Sequence, residues 1–104
     1  MNAPAFLIAG LAALSSALPA HAQPFAGADL ALGQRLIAQH RCSECHAQKV
    51  GGNGDAIYRR GKVTKPEQLR TMVEMCSTQL NLQLFPEEIE AVAAVLNRDH
   101  YRFK

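Results

Sequence analysis

Apolar residues recur at helical intervals in three separate stretches, and no stretch alternates as a strand would. Asp29 stands in a capping position. Leu32, Leu36 and Ile37 follow it three and four residues apart, which predicts a helix running to about His40. Lys65-Pro66 opens a second helix, since proline suits a first helical turn, and Thr64 with Glu67 has capping-box spacing. Its apolar stripe is Leu69, Met72, Val73, Cys76 and Leu80. Pro86 opens the last helix, striped by Ile89, Val92, Ala93 and Leu96. Glu87, Glu88 and Glu90 lie in its first turns and Arg98 near its end, as the helix dipole favours. Between these, Val50-Gly51-Gly52-Asn53-Gly54-Asp55 reads as a loop and Ala56 to Val63 shows no period. Gln23 to Ala28 reads as a flexible arm.

A fourth apolar run, Phe6 to Leu18, is broken only by Gly10, Ser15 and Ser16 and is short for a bilayer span. Ala20 and Ala22 fit a small-x-small cleavage site, so residues 1–22 are expected to be a signal peptide and residues 23–104 the mature, exported, periplasmic domain. No Lys or Arg precedes the run, which leaves an uncleaved anchor as the alternative. No other stretch could cross a membrane. All 11 Lys and Arg and all 9 Asp and Glu follow residue 22, giving the mature chain the whole net charge of +2, too weak to argue for nucleic acid. A chain of about 80 residues excludes a second domain and a large enzyme core, and domains this small often need a staple.

Cys42-Ser43-Glu44-Cys45-His46 supplies the candidate chemistry. Two thiols three residues apart on a tight turn can each form a thioether to a haem vinyl group, and the adjacent histidine can reach the iron; C-x-x-C-H is a c-type haem attachment signal. A thioredoxin-like dithiol needs a surrounding βαβ pattern, which is absent. A structural zinc site needs four ligands, whereas Cys76 and His100 are isolated. A plain disulfide leaves His46 unexplained.

With the first helix carrying Gly33 and Leu36-Ile37, the motif directly after it, and the closing helix Pro86 to Leu96, the chain resembles a small single-haem class I cytochrome c. The resemblance implies an all-α fold wrapped around one covalent haem c, attached through Cys42 and Cys45 with His46 as proximal iron ligand. It implies a close crossing of the first and last helices at Gly33, with Ala93 or Ala94 facing it. Members of the family usually carry the distal methionine beside a proline before the last helix, and this chain has no Met-Pro. Two methionines remain as distal candidates. Met75 is the first choice, being a large apolar side chain rotated off the stripe and next to Cys76, since some ligand-binding relatives place a distal ligand just before a cysteine. Met72, at the edge of the stripe, is the second. His100, His40, an asparagine or an open site complete the alternatives.

Other residues add less. Cys76 reads as a core thiol, with an intermolecular disulfide as alternative. Gly51, Gly52 and Gly54 lack the Lys-Ser/Thr of a phosphate loop and suit a loop passing close to a haem edge. Tyr58, Arg59, Arg60 and Lys62 could bind haem propionates. Tyr101 and Phe103 are expected to pack back on the core.

These readings lead to an electron carrier and not an enzyme, with redox partner proteins and no turnover of a small molecule. The alternatives are an open-site haem c protein binding a gas and a small cytochrome subunit of a larger redox complex. Without haem, residues 23–104 are expected to be largely unfolded.

Overall fold

The computed structural model describes residues 2–5, 10, 23–59 and 61–104; the expected signal peptide lies almost wholly outside them. The described residues are helical, with no strand among them, and no described helix is long and apolar enough to cross a membrane. Four α-helices follow in order: α1 Leu30–Gln39, α2 Cys42–Val50, α3 Pro66–Gln79 and α4 Pro86–Leu96. A 3-10 turn, Asp55–Arg59, separates α2 from α3, and a π-helical turn, Asn97–Tyr101, prolongs α4.

The helix starts follow from local chemistry. The Asp29 carboxylate accepts the Leu32 N–H at 3.0 Å, satisfying one of the free donors of α1. Pro66 and Pro86 occupy the first positions of α3 and α4. At α4 the Glu88 carboxylate reaches back to the Phe85 N–H at 2.9 Å. At α3 the expected Thr64–Glu67 box does not form. Gln68 does the work one residue later, its carbonyl accepting from the Thr64 N–H at 2.8 Å and from the hydroxyl at 3.0 Å.

α1 and α4 form the most extensive packing between elements, and Gly33 is the reason they can approach. A Cβ there would overlap the Ala91 carbonyl oxygen and sit 2.8 Å from Val95 Cγ2. The close crossing expected at Gly33 is present, but its partners are Ala91 and Val95 instead of Ala93 or Ala94. This explains why α4 is buried on more than its predicted stripe: Ala91, Ala94 and Val95 are buried along with Ile89, Val92 and Ala93. α1 covers one face while α3 packs on α4 as well.

The core joins Leu36, Leu69, Val73, Ile89, Val92, Ala93 and Ala94 with Phe25. Phe25 corrects the expectation of a flexible arm. The 23–28 segment is a turn closed by Ala26 N–H to Gln23 O and Ala28 N–H to Phe25 O, both 3.1 Å, and it buries the Phe25 ring. The Arg70 guanidinium lies 4.8 Å from that ring centroid and pairs with the Glu90 carboxylate at 2.5 and 3.0 Å, tying α3 to α4. Leu80, assigned to the apolar stripe of α3, is half-exposed because α3 ends at Gln79. At the C-terminus, the buried Asn97 amide accepts the Phe103 N–H at 2.8 Å and donates to Phe103 O at 3.2 Å. Tyr101 and Phe103 pack back against the core, as expected.

Candidate functional site

Arg41, in the left-handed region at φ 52°, breaks the chain between α1 and α2. The motif therefore sits on the first turns of a helix, and not on a tight turn as the spacing suggested. Residues three and four apart share a helix face, so the helix brings Cys42, Cys45 and His46 to the same side. All three are half-buried and line one cavity of about 380 Å³. The rest of its wall is mainly apolar: Leu36 and Ile37 from α1, Leu69, Met72 and Val73 from α3, Leu82 and Leu84 from the connection, Val92 and Leu96 from α4. A concave, largely apolar cavity with a few converging polar groups has the form expected of a cofactor site.

Burial shifts the titration of Cys42 and His46. It pushes the Cys42 thiol up, its own backbone N–H opposes, and negative charge on Cys45 or Cys76 would push it further. A reactive dithiol needs the opposite environment, one that favours thiolate. Burial pushes His46 down from its ordinary value, reinforced by the charges of Lys49 and His100. The imidazole is thus held neutral, with a lone pair to donate. His46 Nδ1 lies 3.1 Å from the Tyr58 hydroxyl oxygen.

The loop before Tyr58 is set by Gly54, at φ 88° and buried against α2. A Cβ on Gly54 would come within 2.8 Å of Ala47 N, His46 Cβ and Ser43 O. The glycine-rich loop, expected to pass a haem edge, thus packs closely over the backbone that carries His46.

The two methionines separate. Met72 is half-buried and lines the cavity, whereas Met75, first choice from periodicity, is 50% exposed and does not line it. α3 turns its Leu69–Met72–Val73–Cys76 face inward, and Met75 falls on the outer face. Cys76 also lines the cavity as a half-buried free thiol. Of the basic stretch, Lys62 lines the cavity, Arg59 is exposed, and Arg60 lies outside the described residues. His40 is half-buried and does not line the cavity. His100 stacks on Tyr58 with ring centroids 4.0 Å apart and, with Tyr58, lines a second cleft together with Arg41, Glu44 and Asp99.

Sequence reasoning missed Ser77. It is buried, lines the cavity and accepts the Leu82 N–H through its backbone carbonyl at 3.0 Å. Its place four residues after Val73 on the apolar stripe was the available signal. Among the described residues, no three His, Cys, Asp or Glu side chains converge as a metal-ligand set. No protein-family model, curated protein or solved structure matches the chain. Fold and site together define an all-helical domain with one apolar cavity carrying a dithiol and an imidazole.

Proposed function

We propose that residues 23–104 form an exported single-haem c-type electron carrier, of the class I cytochrome c kind. One observation carries the reading: both thiols of C-x-x-C-H and its histidine open onto the same apolar cavity. The residues fit the group. A haem would bring most of its iron's ligands with it, so the His46 imidazole would suffice where no protein ligand cluster occurs among the described residues. A bound haem would supply one-electron cycling between ferric and ferrous iron.

The chain's own residues have separable tasks. Cys42, whose thiol burial pushes up, and Cys45 would hold the group covalently from one helix face. His46 is kept neutral and stands on the same face as proximal ligand. Leu36, Leu69, Val73 and Val92 keep water from the cavity. Lys49 and Lys62 place two ammonium groups at its wall, suited to a pair of propionates. Met72 is the methionine on the opposite helix and the distal candidate; a thioether there favours the ferrous state.

Expression through a periplasmic haem-attachment pathway tests the reading. The protein should carry haem through denaturing electrophoresis, and the double variant Cys42→Ala, Cys45→Ala should carry none. A colourless product with all three thiols free would refute it. A second reading, an open distal site that binds a gas, is favoured by the placement of Met75 outside the cavity, which leaves Met72 alone to fill that position. A thioether charge-transfer band lost in Met72→Ala but kept in Met75→Ala supports the carrier; rapid carbon monoxide binding by the unsubstituted ferrous protein supports the open site.

A further inference from the structure

The Tyr58 hydroxyl is the one polar side-chain atom within hydrogen-bond reach of His46 among the described residues, and nothing in the attachment motif accounts for it. Two rings hold the phenol ring there. The His100 ring stacks on it at 4.0 Å with planes 20° apart. Tyr101 meets it edge-on at 5.8 Å. Both of these residues sit on the π-helical turn, which Asn97 locks to Phe103 by two hydrogen bonds. The His46 ring in turn meets Tyr58 nearly perpendicular, at 80° and 5.4 Å between centroids. π-Helical turns often mark functional sites, and this one aims two aromatic rings at a residue more than forty positions earlier.

Resting on the function proposed above, we infer that Tyr58 is a positioning residue for His46. Its hydroxyl oxygen accepts the Nδ1 proton, which fixes the imidazole plane and leaves Nε2 as the metal-binding nitrogen. A histidine ligand is routinely oriented through its second nitrogen by a carboxylate, a backbone carbonyl or water. Here a phenol on the 3-10 turn takes that place, itself held by the C-terminal residues. A hydrogen bond from Nδ1 raises the basicity of the ring, so it favours the ferric state. Tyr58 therefore couples the fold of the last turn to the redox balance of the site.

The test uses the haem-loaded protein and Tyr58→Phe, which keeps the ring and its stacking and removes only the oxygen. At a fixed ambient potential the ferrous-to-ferric ratio should rise about threefold, within the factor one hydrogen bond commonly gives, with circular dichroism unchanged. Tyr58→Leu should give the same shift together with a lower melting temperature. A Tyr58→Phe protein with an unaltered ratio overturns the inference. If that variant fails to mature, the unsubstituted protein decides: a slowly exchanging His46 Nδ1 proton with a cross-relaxation peak to the Tyr58 ring supports the inference, and its absence overturns it. Should the unsubstituted protein take no haem, the proposed function falls by itself. The native chain then answers through its His46 nitrogen shifts: an Nδ1-protonated ring that Tyr58→Phe converts supports the positioning role, and an Nε2-protonated ring ends it.

Discussion

Replacing Gly33 with alanine separates two opposing effects of known size. In a helix interior the change favours folding by about 1 kcal/mol, because alanine has the higher helix propensity. At this crossing the new Cβ would lie 2.7 Å from the Ala91 carbonyl carbon and 2.8 Å from Val95 Cγ2, where ordinary contact begins at 3.4 Å. A side chain such as Val95 can turn aside, but the Ala91 backbone cannot without moving α4. The helices must part by more than half an ångström along a buried seam; overpacking costs about 1–3 kcal/mol, and overlap with unyielding backbone puts this case in the upper part of that range, about 2–3 kcal/mol. The net expectation is a loss of about 1–2 kcal/mol. In a domain of this size that lowers the melting temperature by about 5–15 °C. Helical circular dichroism during thermal unfolding measures it directly. Adding Val95→Ala should recover little, since the carbonyl contact remains. A Gly33→Ala protein that melts at the same or a higher temperature would show that propensity wins and that the helices do not cross closely here.

Gly54→Ala should be worse tolerated than any other loop glycine change, because it combines a left-handed φ of 88° with overlap against two backbone atoms of α2, Ala47 N and Ser43 O, and against His46 Cβ. We expect a loss of about 1–3 kcal/mol in urea unfolding and, on the proposed function, a reduced yield of attached haem, and Gly52→Ala, which meets no atom within 4 Å, should lose less. Arg70→Ala removes the bidentate pair with Glu90 and the contact over Phe25. With the two side chains 40% and 31% exposed, the cost should be only about 0.5–1 kcal/mol, and a loss of several kcal/mol by denaturant titration would contradict the packing. Burial raises the phenols of Tyr58 and Tyr101 above their ordinary value of 10, so the fold keeps protons that the unfolded chain gives up. Stability should be full below pH 10 and fall as pH rises beyond it, and Tyr58→Phe should flatten the decline in an alkaline titration. On the proposed function, residues 23–104 prepared without haem should show no cooperative melt; a native-like transition in the haem-free chain would count against that function.

The sequence by itself determined where α1, α3 and α4 begin and that two thiols and an imidazole stand close together; it did not determine α2, where a tight turn was expected. Asp29, Pro66, Pro86 and Glu88 act on backbone within a few residues, so their effect can be read without knowing the rest of the molecule. The same holds for Cys42, Cys45 and His46, whose spacing alone places them on one side of any helix. Gly33 was legible as a crossing point, but its true neighbours Ala91 and Val95 depended on the rotation of α4, which a stripe of small residues does not fix. What the tertiary structure decided lies across long separations. Phe25 looked like part of a loose arm because one aromatic residue has no period. Met75 stood out from the stripe of α3, and only the packed helix shows that its outer face leads to solvent while Met72 faces the cavity. Tyr58 reaches His46, and the C-terminal rings reach Tyr58, through contacts that no local pattern encodes. Periodicity tells which residues share a face, whereas the direction of that face is set by how helices pack against one another.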